Sequence, residues 1–125
     1  MSVTCPYCQQ PAVLVTAADI GVEDRANRLY WRCKPCGAYI ACYAGTETPL
    51  GPLADESLRE AQHLARVAFR AFKEKNLFTR GEAFQALAKK LHMSPREVDF
   101  NHFDINTCLR VTKVLSNRRE RVCPQ

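Results

Sequence analysis

Four cysteines stand in two pairs that share the spacing C-x2-C. Cys5 and Cys8 form the first pair, Cys33 and Cys36 form the second, and 24 residues separate the pairs. The two residues inside each pair let the backbone turn so that both sulfurs face one ion. Four thiolates then make a closed tetrahedral site with no open position for water. The spacing therefore predicts one structural Zn²⁺ ion held by these four residues.

The first pair, Cys5-Pro6-Tyr7-Cys8, also matches the sequence motif of the redox dithiol of a glutaredoxin. Such a dithiol follows a buried strand and opens a helix, because the helix N-terminus lowers the thiol pKa. Only four residues precede Cys5, and the β-branched run at 12–16 predicts a strand where a helix is required. The sequence favours metal binding over thiol exchange.

The three remaining cysteines are not predicted to bind the ion. Cys42 lies six residues after Cys36, where a small buried side chain on a strand is expected. Cys108 falls on the apolar face of a predicted helix, and Cys123 lies in a polar tail without a predicted structural role.

Three short strands and two turns would position the four thiols. Strands are predicted at 11–15, 28–33 and 38–43, which leave the first pair, enter the second and leave it. Gly37 suits the positive φ that is common at the end of such a turn, and Gln9 at the matching place suits it less well. This arrangement is a zinc ribbon.

The rest of the chain predicts helices. Residues 44–54 form a Pro/Gly-rich connector whose Leu50 and Leu53 are expected to pack on the ribbon or the next helix. A helix of about five turns is predicted from Asp55, because apolar side chains recur every three or four residues. Its predicted inner face comprises Leu58, Ala61, Ala65, Ala68 and Phe72.

Capping signals predict where three further helical segments begin. Thr79 with Glu82 and Ser94 with Glu97 are capping boxes, and Asp104 can cap a last helix that runs to about residue 118. The inner face of the second helix is predicted as Phe84, Leu87, Ala88 and Leu91. That of the last helix is predicted as Ile105, Cys108, Leu109, Thr112 and Leu115.

The predicted fold is α+β, with an N-terminal three-stranded zinc ribbon packed against a C-terminal bundle of three to four helices. Residues 1–52 would form the ribbon with its connector, and residues 53–125 would form the helical region. We expect the two parts to pack as one compact unit, since the connector is stiff.

Charge is distributed unevenly along the chain. The formal net charge is +5, and residues 53–125 hold 14 basic against 9 acidic side chains. Four thiolates with one Zn²⁺ lower the total to about +3 and leave the ribbon slightly negative. Any binding of phosphate groups is therefore expected from the helical region.

Basic side chains in that region form two groups. The first is a stripe beside the apolar face of the first helix, comprising Arg59, His63, Arg66, Arg70 and Lys73. The second is a cluster near the end of the chain that includes Lys113, Arg118 and Arg119. A stripe of this kind can follow phosphates or dock on an acidic protein surface, although a solvated helix face has the same pattern.

Residues 88–98, AKKLHMSPREV, also fit the spelling of a helix-turn-helix motif. A recognition helix must present Arg, Asn or Gln to base edges, and the candidate here is short and mostly acidic. A capped helix corner explains the same residues.

No catalytic set is recognisable in the sequence. The three histidines are not at metal-ligand spacing, and the acidic residues are scattered singly. We therefore expect a protein that is not an enzyme and takes no small-molecule substrate.

The start of the chain has no signal-peptide pattern, and no apolar stretch approaches the ~18 residues needed to span a bilayer. We therefore expect a cytoplasmic protein without membrane contact, where thiols stay reduced.

Residues 31–55, WRCKPCGAYIACYAGTETPLGPLAD, resemble a family of small zinc-finger-containing proteins of unassigned function, met mostly in phages, prophages and their bacterial hosts. The N-terminal CPYC followed by a Val/Leu strand fits that family, and residues 82–110 fit it more loosely. The resemblance implies that Cys5, Cys8, Cys33 and Cys36 bind zinc and that the chain is of phage origin. It implies no activity.

Two functions follow as hypotheses. The first is a non-enzymatic regulatory protein that contacts nucleic acid through the basic stripe and the basic end of the chain. The alternative is a protein-binding module that occupies a host enzyme or defence complex, with Tyr39 and Tyr43 as candidate exposed aromatic contacts.

Overall fold

The computed structural model describes residues 2–116, which divide between Ser57 and Leu58 into two compact units. We call residues 2–57 the ribbon unit and residues 58–116 the helical unit. The ribbon unit contains a three-stranded antiparallel sheet, and three α-helices follow in the chain. The predicted α+β class is confirmed.

The sheet consists of β1 (Val13–Thr16), β2 (Leu29–Cys33) and β3 (Ala38–Ala41), in the order β1-β2-β3. All three strands lie where the sequence predicts them. The register pairs Trp31 of β2 with Leu14 on one side and with Ile40 on the other. Because side chains alternate between the two faces of a strand, this register places Trp31, Leu14 and Ile40 on one face.

That face carries the core of the ribbon unit. Trp31, Ile40 and Cys42 are buried there, and the Trp31 indole Nε1 donates a hydrogen bond to the Glu47 carbonyl oxygen at 2.7 Å. Leu53 is buried in the same cluster, beside the half-buried Leu50. The sequence predicted that the connector leucines pack on the ribbon or on the next helix, and in the structure they pack on the ribbon.

A polar network orders the long loop between β1 and β2. The Tyr30 hydroxyl donates a hydrogen bond to Asp24 Oδ2 at 2.7 Å, and Arg28 lies 3.2 Å from the same carboxylate. Burial and the adjacent carboxylate together raise the pKa of Tyr30 to about 12. The loop is thereby tied to the face of the sheet opposite the core.

The three helices are α1 (Glu56–Lys75), α2 (Arg80–Leu91) and α3 (Ile105–Leu115), with a 3-10 turn at Pro95–Glu97 between the last two. The predicted start of each helix is confirmed within one residue. The sequence predicted a short helix after Ser94, and the structure has one 3-10 turn there, at whose start the Ser94 N–H donates to Glu97 Oε1 at 2.8 Å. The predicted extension of the last helix to about residue 118 reaches beyond the described residues.

The caps agree with the sequence because they depend on residues that are close together in the chain. Thr79 accepts a hydrogen bond from the Glu82 backbone N–H at 3.1 Å, and Glu82 accepts one from the Thr79 N–H at 2.8 Å. Asp104 accepts one from the Thr107 N–H at 2.8 Å, which lowers the pKa of the Asp104 carboxyl. Each cap satisfies a donor that the first helical turn leaves unpaired.

We expect Thr79→Ala to lower the free energy of unfolding by about 1 kcal/mol, because the substitution removes the side-chain acceptor of the capping box. Thermal unfolding followed by far-UV circular dichroism measures this. Thr79→Ser keeps the hydroxyl and is the matched control. Equal losses in the two variants would show that the cap does not contribute.

The helical core differs in detail from the predicted faces. On α1 the buried side chains are Ala61, Gln62, Ala65 and Phe69. Phe69 and Gln62 were missed, and the predicted Ala68 and Phe72 are only half-buried. The inner face of α1 is therefore rotated towards Gln62, whose amide lies 3.4 Å from the Phe103 carbonyl oxygen.

On α2, Leu87, Ala88 and Leu91 are buried as predicted, but Ala83 replaces Phe84, which is half-buried. On α3 the prediction is partly wrong. Cys108 and Val111 are buried, whereas Ile105 is 38% exposed and Leu109 is 54% exposed. Apolar residues occur on several sides of α3, so periodicity does not identify the side that meets the core.

Each helix in the described part of the chain is too short or too polar to cross a bilayer.

Candidate metal centre

The first cysteine pair lies at the tip of a small hairpin formed by residues 3–12. The Cys5 N–H donates to the Gln10 carbonyl oxygen at 2.9 Å, and the Ala12 N–H donates to that of Val3 at 2.7 Å. At the tip, the Gln9 N–H donates to the Cys5 carbonyl oxygen at 2.8 Å, and Gln9 has a φ of 67°. This tight turn brings Cys5 and Cys8 to the same side of the hairpin.

The second pair occupies the turn between β2 and β3. Cys33 ends β2, Ala38 begins β3, and the Gly37 N–H donates to the Lys34 carbonyl oxygen at 3.1 Å. Gly37 has a φ of 67°, the same as Gln9 at the matching place in the first turn. The two turns are therefore alike, and the left-handed position is without strain at the glycine and strained at Gln9.

The two turns bring the four predicted ligands together. The sulfurs of Cys5, Cys8, Cys33 and Cys36 all lie within 4.8 Å of one another, and those of Cys8 and Cys33 are 3.6 Å apart. Sulfurs bound to one tetrahedral zinc ion at about 2.3 Å lie about 3.8 Å from each other. The cluster therefore has the size of a zinc site with four cysteine ligands.

The backbone of each turn favours thiolate at one position. Burial opposes ionisation of Cys5, but hydrogen bonds from the N–H groups of Cys8 and Tyr7 and the neighbouring thiols lower its pKa. At Cys33 the N–H of Cys36 also favours the thiolate, yet burial and the thiols of Cys8 and Cys5 outweigh it and raise the pKa. N–H groups directed at sulfur are the arrangement that a metal-bound thiolate needs.

Crowding of the sulfurs has a further consequence. The Cys8 thiol beside Cys36, together with burial, raises the pKa of Cys36 to about 12. Like charges this close cannot all form unless a cation compensates them. A divalent ion supplies that compensation and allows all four thiols to ionise when it binds.

The four residues fit one structural Zn²⁺ ion, as the sequence predicted. Cys5 and Cys33 are buried, and Cys8 and Cys36 are half-buried, so protein surrounds most of the site. Four thiolates complete the tetrahedron and leave no position for water or substrate. The arrangement holds the two turns together and offers no catalytic zinc.

The thiol-exchange alternative has no structural support. Cys5 and Cys8 are followed by a turn and a strand, and no helix N-terminus is present at residues 5–16 to activate a thiol. Cys42 is fully buried in the ribbon core outside the sulfur cluster. Cys108 is fully buried in the helical core, where burial raises its pKa to about 11. Cys123 lies outside the described residues.

The structure places the predicted basic stripe along one side of α1, beside its buried face. Its members are Arg59, His63, Arg66, Arg70 and Lys73. Arg66 is half-buried, and its guanidinium donates a hydrogen bond to Asn101 Oδ1 at 2.7 Å. Desolvation lowers the pKa of Arg66. His63 and Arg70 are exposed.

The second basic group is only partly described. Lys113 is exposed in the last turn of α3, where its positive charge interacts favourably with the helix dipole. Arg118 and Arg119 lie outside the described residues.

The helix-turn-helix interpretation fails at its second helix. Residues 95–97 form a single 3-10 turn, which is too short to lie in a major groove. Asn101, which could have read a base edge, instead accepts the hydrogen bond of Arg66.

The sequence interpretation missed Arg80 and assigned Phe84 only to the core. The Arg80 guanidinium carbon lies over the Phe84 ring, 4.9 Å from its centroid. The available signal was the spacing of four residues between the two on one helix, which places them on adjacent turns.

A protein family matches the chain in the comparisons with known proteins. It is described as a zinc-finger-containing domain and matches residues 1–118. No curated protein and no solved structure matches the chain.

Proposed function

The chain belongs to a family of zinc-finger-containing domains, and we propose that it is a non-enzymatic, zinc-stabilised regulatory protein that contacts nucleic acid through the basic stripe. Lys113 with Arg118 and Arg119 would extend the contact. The zinc ion has a structural role in this proposal, because four thiolates leave it no open coordination position. Phage or prophage origin and a cytoplasmic location stay predictions.

The observation that carries the proposal is the set of uncompensated cations on α1. Among residues 2–116, the side chains of Arg70 and Lys73 form no ion pair or hydrogen bond. Unpaired cations on one side of a helix produce a local positive potential that attracts polyanions. The phosphate backbone is a polyanion whose binding depends on such contacts.

We expect the affinity for nucleic acid to fall steeply with salt. Two phosphate contacts, one each from Arg70 and Lys73, predict a loss of about 7-fold for a single strand and about 12-fold for a duplex between about 50 and 200 mM salt. Fluorescence anisotropy of labelled DNA and RNA oligonucleotides with the zinc-loaded chain measures this. Absence of binding at micromolar protein and low salt would exclude the proposed function.

The matched comparison uses two double variants that each remove two positive charges. Arg70→Ala/Lys73→Ala removes charges from the stripe. Lys75→Ala/Lys89→Ala removes exposed charges elsewhere on α1 and α2. The stripe variant should lose affinity and reduce the salt dependence, whereas equal losses in both variants would indicate attraction by net charge alone.

The alternative function, a module that binds a host enzyme or defence complex, is favoured by exposed apolar side chains on the ribbon unit. Tyr43 is 55% exposed and Val13 is 62% exposed. Tyr39 is half-buried and packs edge-on against Tyr30, so it is a poorer candidate than the sequence suggested. A stoichiometric partner recovered from host lysate by the tagged chain, and lost with Tyr43→Ser, would support this function.

A further inference from the structure

A cleft of about 220 Å³ opens on the surface of the helical unit between α1 and α2. Its basic side chains are Arg66, Arg70 and Lys73 from α1 and Arg80 from α2. Arg66 is held by Asn101, but the ion pairs and hydrogen bonds of residues 2–116 involve no side chain of the other three. The cleft therefore carries a local positive potential, which attracts negative charge.

The floor of the same cleft is aromatic. Phe69 and Phe100 are buried and Phe84 is half-buried. The Phe69 ring centroid lies 4.8 Å from that of Phe84 and 5.4 Å from that of Phe100. Because these rings belong to the packed core, the surface that they present is formed before any ligand binds.

Arg80 joins the basic and aromatic parts. Its guanidinium carbon lies 4.9 Å from the Phe84 centroid, while the side chain itself is exposed. A guanidinium on a ring is a planar cation on which a further planar group can stack. Unstacked nucleobases bind proteins in this way, on aromatic rings and on arginine planes.

The surroundings of Phe84 allow a chain to continue past it. A second, shallower groove borders the same ring and is lined by Gly81, Gln85 and Arg96. No atom lies within 4 Å of the position that a Cβ would take at Gly81, so a backbone could approach there. An extended polyanion could therefore follow the surface from Lys73 past Phe84 towards Arg96.

We propose that this cleft binds one nucleotide of a single-stranded nucleic acid, with the base stacked at Arg80 and Phe84 and a phosphate between Arg70 and Lys73. This inference rests on the proposed function and specifies its ligand. In a duplex the faces of the nucleobases are stacked on one another, so a duplex could contact only the cations of the cleft. The aromatic floor of the cleft therefore favours single strands. The cleft is smaller than the ~300–1,000 Å³ of usual small-molecule sites, which disfavours a larger cofactor.

The test measures binding of the zinc-loaded chain to a labelled single strand of about 12 nucleotides, a length within the usual site sizes, and to a duplex of the same sequence. Phe84→Leu should weaken single-strand binding about 5-fold or more, since one stacked base is lost. Its salt slope should be unchanged. Arg80→Ala should weaken single-strand binding as well, because it removes the planar cation on which the base stacks.

Two matched controls remove the same chemical groups elsewhere. Phe78→Leu removes a half-buried ring that packs on Phe72, outside the cleft. Lys89→Ala removes an exposed charge from the opposite side of α2. Both should bind like the original chain, and circular dichroism establishes that each variant is folded. Arg80→Ala changes only an exposed side chain, so it keeps the test valid if Phe84→Leu unfolds.

Failure of the inference is distinguishable from failure of the proposed function. Single-strand binding that is salt-dependent but insensitive to both Arg80→Ala and Phe84→Leu would overturn the cleft and leave the proposed function standing. Equal losses for duplex and single strand in Phe84→Leu would overturn base stacking. No binding of either nucleic acid at low salt would overturn both.

Discussion

Cys33→Ser is expected to remove zinc from the protein and to unfold the β-sheet of the ribbon unit. The serine hydroxyl does not ionise at neutral pH, so three thiolates would remain around a site built for four. Structural zinc supplies an apparent binding free energy of about 10–16 kcal/mol, which exceeds or equals the whole stability of many domains. Among the described residues, the same change at Cys5, Cys8 or Cys36 should have a comparable effect, because each supplies one of the four ligands.

Two measurements monitor the effect of Cys33→Ser. Elemental analysis should show zinc falling from about one ion per chain towards none, as expected when a closed four-ligand site loses a ligand. The fluorescence of Trp31, the single tryptophan, should shift to the red, because its indole is 6% exposed in the folded ribbon. Chelation of the original chain should reproduce the same spectrum.

Cys42→Ala is the matched control for the loss of a cysteine. Cys42 is buried on the same face of the sheet, but its sulfur is outside the ligand cluster. The variant should keep one zinc ion and lose only a small packing contribution. Zinc retained in Cys33→Ser, or lost in Cys42→Ala, would contradict the assigned ligand set.

Leu87→Ala is expected to lower the free energy of unfolding by about 2–5 kcal/mol, because it leaves a cavity in a packed core. Leu87 is fully buried among the side chains of the helical core. Chemical denaturation followed by the helical circular dichroism signal measures the loss. Zinc content should stay unchanged, since all four ligands lie in residues 5–36.

Leu109→Ala provides the comparison for the same substitution on an exposed surface. Leu109 is 54% exposed on α3, although the sequence pattern assigned it to the inner face. Its replacement should change the stability by no more than about 0.5 kcal/mol. A cost as large as that of Leu87→Ala would mean that the exposed side of α3 has been assigned wrongly.

The metal centre could be predicted from the sequence because its chemistry is encoded locally. Two residues between paired cysteines determine the geometry of each turn, and β-branched runs on either side of the turns indicate strands. Only the meeting of the two turns depends on the sheet. The pairing of β2 with β1 and with β3 brings the two turns together, and the four sulfurs then lie within 4.8 Å of one another.

The starts of the helices could be predicted for the same reason. Thr79 bonds to Glu82 and Asp104 to Thr107, both three residues along the chain. Such contacts exist as soon as the first turn forms, whatever the rest of the molecule does.

The inner faces of the helices were decided by tertiary structure. The rotation of α1 that buries Phe69 and Gln62 depends on contacts with residues 84–103, which are distant in sequence. The capture of Arg66 by Asn101 and the cleft beside Arg80 have the same origin. Periodicity shows that a helix has an apolar side, but packing against a distant partner selects which of several similar sides is buried. Local sequence was therefore enough to predict the zinc ligands, the three strands and the three α-helices, whereas tertiary packing selects the cations that remain available to a ligand.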